Sequence, residues 1–202
     1  MRVSDCVRCV DFPCADVRHE NYVVPGIDLR PADVSIVMVS EAAPANPADY
    51  YYAGPASLFA QTTVQAFNDA GAGVSSIQDL IERGVYLTTA VKCGKTGYGM
   101  ETGTIQTCSN LLEQELAVFA CAKVYMLMGD VAIKALNAIA KRKGEGRVIP
   151  AGSTYKIRGA VYYFRGRRVF PSYLQAGPSF LIEKSKRRMI AEDIAAALEL
   201  VT

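Results

Sequence analysis

Hydrophobic positions in this chain alternate between short, unbroken apolar runs and longer stretches with helical spacing. Three runs have the length and β-branched character of buried strands: residues 35–39 (SIVMV), 85–91 (VYLTTAV) and 124–128 (VYMLM). Apolar residues at consecutive positions are typical of parallel strands, because these are covered on both faces of the sheet. The pattern therefore predicts three buried parallel strands.

The segments around these runs show the periodicity of amphipathic helices. Residues 57–70 have this spacing and are followed by Gly71, a residue type common just past helix ends. Residues 104–119 repeat apolar positions at i, i+3 and i+4, with Thr104 as a possible cap, and this pattern turns Cys108 inward. Further helices are predicted over 76–83, over 131–140 with Asp130 as the N-cap, and over 180–200.

Strands that alternate with helices indicate an α/β fold. A hairpin is also predicted, with strands at 161–164 and 168–170. We expect a three-layer α/β/α arrangement with a small, mostly parallel central sheet, in one domain over residues 1–202. Ligands bind such sheets where loops leave the carboxyl ends of the strands, which directs attention to residues 40–44 and 170–173.

Composition narrows the class of protein. The chain has 202 residues, is 50% hydrophobic, and carries 22 Lys and Arg against 20 Asp and Glu, for a net charge of +2. These values exclude a disordered chain and a polybasic binder. The sequence has no apolar run of membrane-spanning length, and Asp5 lies where a signal peptide would be apolar. We expect a cytoplasmic protein with no membrane partner.

The six cysteines are too sparse for a disulfide-stapled secreted domain, which points to metal or redox chemistry. Cys6 and Cys9 form a C-x-x-C in a polar segment that offers no apolar reason to bury thiols. Cys93 and Cys108 lie far downstream with fourteen residues between them. Four thiolates suit zinc or an iron-sulfur cluster, and spacing alone does not choose between them. Cys121, in an apolar run, is expected to be a small buried hydrophobe.

Four segments in order resemble the iron-sulfur uracil-DNA glycosylases, the family 4 type of the uracil-DNA glycosylase superfamily. They are SEAAP at 40–44, VYLTTAVKC at 85–93, KVYMLMGDVAIKAL at 123–136 and FPSYL at 170–174. The resemblance runs from Cys6 to the C-terminal helix. It implies a monomeric base-excision enzyme that flips uracil or another altered base out of DNA and cleaves its N-glycosidic bond. It also implies a [4Fe-4S] cluster, in a cluster-binding N-terminal segment, with ligands Cys6, Cys9, Cys93 and Cys108.

The same resemblance assigns roles around the base. Glu41 matches the acidic residue of the family's first motif and would position or activate water, although an ordinary solvated carboxylate explains it as well. The backbone at Ala42 would contact the flipped base. Tyr52 matches the aromatic residue that stacks on the base, and the alternative is that the tyrosines at 50–52 only fill the core.

Two positions depart from the family pattern. Thr89 replaces an asparagine whose amide reads the uracil edge, and a hydroxyl does not supply an amide's paired donor and acceptor. Phe170 replaces a histidine that stabilises charge developing on the uracil oxygen, and loss of one such donor typically costs about 10² to 10³ in rate. The sequence thus predicts a divergent glycosylase with altered base specificity. The alternative is a non-catalytic nucleic-acid-binding protein that keeps the fold and the cluster.

DNA contacts are also implied by the resemblance. Pro171, Ser172 and Tyr173 match the loop that enters the minor groove, and nearby basic residues are candidates for phosphate contacts. A solvated helix face is the alternative for the basic residues of 184–188. The candidates are Arg165, Arg167, Arg168, Lys184, Lys186, Arg187 and Arg188.

Overall fold

A computed structural model describes residues 1–97 and 99–201. Its centre is a six-stranded sheet in the order β1-β3-β2-β4-β6-β5. Strands β2, β3, β4 and β6 run parallel, and β1 and β5 are antiparallel strands at the two edges. The strands are β1 Val17–Arg18, β2 Ile36–Ala43, β3 Val85–Lys95, β4 Val124–Met128, β5 Tyr162–Phe164 and β6 Arg167–Ser172.

Helices cover both faces of this sheet, because alternate side chains of each strand point to opposite layers. Val37 and Val39 belong to one buried cluster, whereas Ile36 and Met38 belong to the other. The three-layer α/β/α fold predicted from the sequence is confirmed. The helices are α1 Leu58–Asp69, α2 Ile77–Glu82, α3 Thr102–Val118, α4 Asp130–Arg142, α5 Thr154–Ile157, α6 Ser179–Ile182 and α7 Lys184–Glu199. No helix in the described part of the chain has the length and apolar character needed to span a membrane.

Both expected N-caps are wrong. Helix α3 begins at Thr102, so Thr104 lies inside it and its hydroxyl donates to the Asp16 carboxylate. Gly129 is the N-cap of α4, and Asp130 instead forms an ion pair with Lys134 at 2.5 Å, one turn further on.

Two other expectations near helix ends differ from the structure. The helix predicted over 180–200 is interrupted at Glu183, whose backbone angles are φ −105° and ψ 88°. Cys121 is exposed rather than buried, because α3 ends at Val118 and the neighbouring Phe119 and Ala122 fill the interior instead.

The carboxyl end of β3 extends four residues beyond the predicted apolar run, through Lys95. This extension pairs with β1, where Val17 lies opposite Lys95. The extension contains a buried ion pair between Lys92 and Glu115 of α3, both of whose side chains are 0% exposed. Lys92 Nζ also donates to Thr88 Oγ1 at 2.8 Å, and Tyr86 donates to the Glu115 carboxylate at 2.6 Å. The pair is therefore hydrogen-bonded on both sides, as buried charges require.

Candidate functional site

A cavity of about 520 Å³ opens where β2 and β3 end, and Glu41 lies at its edge. Its walls come from the loop after β2, the start of α1, the end of β3 and the loop after β6. This is the location expected for a ligand site in a parallel α/β sheet. Its lining residues include Glu41, Ala42, Pro44, Leu58, Phe59, Lys95, Leu174 and Ala176.

The carboxylate of Glu41 has a cationic neighbour and a tight backbone neighbour. Lys95 Nζ lies 3.7 Å from Glu41 Oε2, and the two side chains are 33% and 19% exposed respectively. On the other side, a Cβ built on Gly129 would lie 2.6 Å from Glu41 Oε1. Glu41 thus packs directly against the glycine that precedes α4. Because it also lines a second, smaller cavity with Tyr173 and Lys186, Glu41 lies between two openings on this face of the protein.

A buried polar cluster lies next to the cavity. Ser40 Oγ is 2.7 Å from the hydroxyl of Tyr51, and Gln175 Nε2 donates to that hydroxyl at 3.0 Å. Burial raises the pKa of Tyr51 despite these hydrogen bonds, so the phenol stays protonated at neutral pH. Thr89 lies opposite Ser40 in the sheet and is fully buried. Within the described residues, the Thr89 hydroxyl and the Gln175 carbonyl oxygen have no hydrogen-bond partner.

The structure does not bring Tyr52 to the cavity that Glu41 lines. The Tyr52 hydroxyl donates to the carbonyl of Leu87 at 2.9 Å and accepts from its N–H at 3.1 Å. Its ring lines two other cavities. Among the described residues, the aromatic residue that lines the Glu41 cavity is Phe59, in the first turn of α1, whose ring centroid lies 5.2 Å from that of Tyr51. Phe59 is not among the site residues predicted from the sequence, although it lies in the first turn of the helix predicted over 57–70.

The FPSY motif is mostly buried. Phe170 is 6% exposed and packs on the α7 side of the sheet, with the Arg168 guanidinium 4.2 Å from its ring centroid. Phe170 is not among the residues that line the Glu41 cavity. Pro171 and Ser172 are buried in β6, and Ser172 Oγ donates to Asp193 at 2.5 Å. Tyr173 is the first residue of the motif to reach the open face, where it lies beside Lys186.

The arginines of the β5–β6 hairpin lie at the opposite end of the sheet. Strand β6 runs from Arg167 to Ser172 parallel to β4, so the hairpin is at its amino end. Arg165 pairs with Glu145 at 2.9 Å, and Arg167 donates to the Ala120 carbonyl at 3.0 Å. The Arg168 guanidinium donates hydrogen bonds to the backbone carbonyls of Tyr162 and Ala160 near the hairpin. The structure therefore does not group these arginines with Glu41, and their contact with phosphates stays a prediction.

The basic residues at the start of α7 differ in their partners. Lys186 lines the smaller cavity beside Glu41 and donates to Glu183 at 2.7 Å. Arg187 pairs with Asp69, and Arg188 pairs with Glu192 at 3.1 Å. Of these three residues, Lys186 is the one that lines a cavity together with Glu41.

Three of the four cysteines expected to bind a cluster lie around one cavity, together with Cys14, which is not among the expected ligands. Cys9, Cys93 and Cys108 line one cavity of about 270 Å³ that also contains Cys14. Burial, followed by the nearby thiols of Cys108, Cys9 and Cys14, raises the pKa of Cys93 to about 12. Cys6 is exposed and is not among the residues that line this cavity. Across residues 1–97 and 99–201, no group of three His, Cys, Asp or Glu side chains is arranged to hold a metal ion.

Comparison with known proteins identifies the family. A family model of the uracil DNA glycosylase superfamily matches residues 27–196, so the chain belongs to that superfamily. The matched span does not include Cys6, Cys9 or Cys14. No curated protein matches the chain. Among solved structures, the wild-type UNG from Nitratifractor salsuginis is similar, with a TM-score of 0.45 and 14% sequence identity, over 89% of this chain and 81% of that chain.

Proposed function

We propose that the protein is a DNA glycosylase that removes an altered base from DNA. The observation that carries this proposal is the Glu41 carboxylate at the edge of a cavity of about 520 Å³, in a member of the uracil DNA glycosylase superfamily. Cavities of roughly 300 to 1,000 Å³ are typical of small-molecule sites, and an extruded nucleoside is in this size class. The cavity is open to solvent on the face where the parallel strands end, which gives a flipped base an entry.

The proposed reaction breaks the bond between C1′ of the sugar and the base nitrogen. The base leaves with the electron pair and takes up a proton, and the sugar passes through an oxocarbenium-like state. Water adds its oxygen at C1′ and gives one proton to the Glu41 carboxylate. This proton passes to solvent, and solvent supplies the proton that the base takes up, so Glu41 is a carboxylate again and the products are an abasic site and a free base. Lys95 positions this carboxylate from one side, and Gly129 leaves room for it on the other. General-base assistance of this kind contributes typically 10² to 10⁴ in rate.

The cavity lining favours a base less polar than uracil. Ala42, Leu58 and Phe59 give it an apolar surface, and Phe59 is placed to stack on a base. Stacking on an aromatic ring is worth about 1 to 3 kcal/mol and tolerates any base. Thr89 and Phe170, which stand at the family's base-reading positions, are not among the residues that line this cavity, so neither offers a hydrogen bond to a base held there. We therefore expect an altered base other than uracil to be the preferred substrate.

An exposed apolar pair lies next to the cavity. Leu181 and Ile182 of α6 are 59% and 76% exposed, and Ser179 of the same helix lines the Glu41 cavity. Apolar side chains that enter between base steps help to unstack and kink a duplex. We propose that Leu181 and Ile182 hold open the space that the flipped base leaves, together with Tyr173 and Lys186, which line the smaller cavity with Ser179 of the same helix.

The test is incision of oligonucleotides that carry a panel of altered bases, each in single- and double-stranded form. Wild-type protein should release at least one altered base faster than uracil. Glu41→Gln should reduce that rate by about 10²-fold or more. Glu82→Gln makes the same charge change on α2, away from the cavity, and should leave the rate unchanged.

Two outcomes would contradict the proposal. Binding to DNA without release of any base in the panel would support the non-catalytic alternative. A Glu41→Gln variant as active as wild type would leave the fold assignment intact but remove Glu41 from the reaction.

A further inference from the structure

The segment that precedes β1 folds back over β3 and α3 and encloses the cysteine-lined cavity. Its loop at residues 9–14 is held in a defined conformation by two aromatic residues. The Cys9 N–H donates to the Tyr22 hydroxyl at 2.9 Å. Phe12 has a positive φ of 44° and packs edge-on against Tyr22, with ring centroids 5.1 Å apart. A positive φ at a bulky residue is uncommon, so this turn is imposed by its surroundings.

The position of Cys14 is fixed by hydrogen bonds of Asp16, two residues further along the chain. The Asp16 carboxylate accepts the Glu101 N–H at 2.7 Å and the Thr104 hydroxyl, both at the beginning of α3. The hydroxyl of Thr96 donates to the Asp16 carbonyl at 2.7 Å. Two of these hydrogen bonds attach the Cys14 region to the beginning of α3, about one turn before Cys108, and the third attaches it to the residue that follows β3. Cys14 therefore faces the cavity as a consequence of tertiary contacts, not of local spacing.

Cys93 and Cys108 complete the lining from the core side. Each is 5% exposed, Cys93 near the end of β3 and Cys108 in the first half of α3. The backbone N–H of Lys92 donates to Cys108 Sγ at 3.5 Å. N–H hydrogen bonds to sulfur tune iron-sulfur clusters, so this contact suits a cysteine that acts as a ligand.

The other two cysteines are placed differently. Cys6 follows the short 3-10 helix Val3–Asp5 and is exposed. Cys121 is exposed beyond the C-terminal end of α3, whereas Cys108 lies more than two turns before that end. Neither is among the residues that line the cavity shared by the remaining four cysteines.

We propose that Cys9, Cys14, Cys93 and Cys108 are the four ligands of an iron-sulfur cluster and that Cys6 is not a ligand. Each thiol would lose its proton and bind one iron as a thiolate. The donor set fits such a cluster better than zinc, because four thiolates around one zinc ion must all lie about 2.3 Å from it. In the described residues no three donors are arranged for a single ion, yet four thiols surround one cavity.

The first experiment measures iron, acid-labile sulfide and zinc in anaerobically purified protein and its variants. Wild type, Cys6→Ser and Cys121→Ser should each hold about four irons per chain. Cys14→Ser should lose at least half of the iron and sulfide. Iron retained in Cys14→Ser but lost in Cys6→Ser would overturn the ligand assignment, and stoichiometric zinc without iron would overturn the cluster.

The second experiment needs no variant and so avoids any failure of Cys14→Ser to fold. The loaded wild-type protein is alkylated with iodoacetamide and digested, and each cysteine is quantified by mass spectrometry. Cys6 and Cys121 should react, whereas Cys9 and Cys14 should react only after the iron is removed with a chelator. Equal protection of Cys6 and Cys14 in the loaded protein would contradict the proposal. Neither readout depends on release of a base.

Discussion

Replacing Gly129 with alanine tests the link between the backbone before α4 and the Glu41 carboxylate. The added Cβ would lie 2.6 Å from Glu41 Oε1, about 0.8 Å closer than the 3.4 Å at which ordinary contact begins. Gly129 also has φ 100° and ψ 167°, a conformation that is essentially restricted to glycine and costs other residues about 1 to 3 kcal/mol. For a domain of this size, that cost lowers Tm by about 2 to 12 °C.

The effect on activity should exceed the effect on stability. A displacement approaching 1 Å at a reacting group can cost about 10²-fold in rate. Gly144→Ala is the matched control, since Gly144 has φ 72° and a Cβ there would meet nothing within 4 Å. Melting curves and single-turnover base release should show a lower Tm in both variants but a large loss of rate only in Gly129→Ala. A Gly129→Ala enzyme with the wild-type rate would refute the proposed position of Glu41.

Two further predictions concern other parts of the molecule. Replacing both Leu181 and Ile182 with alanine should reduce the release of a base from duplex DNA several-fold more than its release from single-stranded DNA. Parallel incision assays on the two substrates measure this difference. Equal losses on both substrates would argue against a role of these residues in opening the duplex. The second prediction concerns Asp16, where burial alone would raise the pKa but hydrogen bonds from Glu101 and Thr104 bring it below its usual value. Its stabilising contribution is therefore present above the unfolded pKa of about 3.9 and is lost as pH falls through the lowered folded value. Proteolysis of the N-terminal segment of the wild-type protein should rise in this acidic range. The Asp16→Asn variant should already be cleaved readily at neutral pH. An Asp16→Asn variant as resistant to proteolysis as wild type would contradict the stabilising role of the Asp16 carboxylate.

The sequence predicts the central strands well because burial on both faces leaves a continuous apolar run. Strand β4 has the predicted bounds, Val124–Met128. Strand β1 has only two residues and pairs with the polar end of β3, so no periodicity marks it. The interruption of the last helix at Glu183 likewise has no glycine or proline to signal it. Local pattern therefore identifies the centre of the sheet and misses features that depend on neighbouring elements.

In the candidate site, too, local sequence pattern identifies some residues and misses those whose positions depend on neighbouring elements. Glu41 could be located because it lies two residues beyond the predicted apolar run 35–39, near the carboxyl end of β2, and such positions meet at one edge of a parallel sheet. Which aromatic ring lines the cavity depends on how the chain turns between β2 and α1, and that turn brings Phe59, not Tyr52, to the cavity that Glu41 lines. The position of Cys14 depends on the contacts of Asp16 with residues 80 and 85 positions away, which no local spacing reports.

The buried pair of Lys92 and Glu115 has an evolutionary consequence. Removing either partner leaves an uncompensated buried charge, which commonly costs about 3 to 5 kcal/mol, whereas replacing both with well-packed apolar residues is often neutral or stabilising. Single steps away from the pair are therefore steeply disfavoured, although the two-step product is acceptable. Positions 92 and 115 are expected to be inherited as a unit, so that related chains carry both charges or neither.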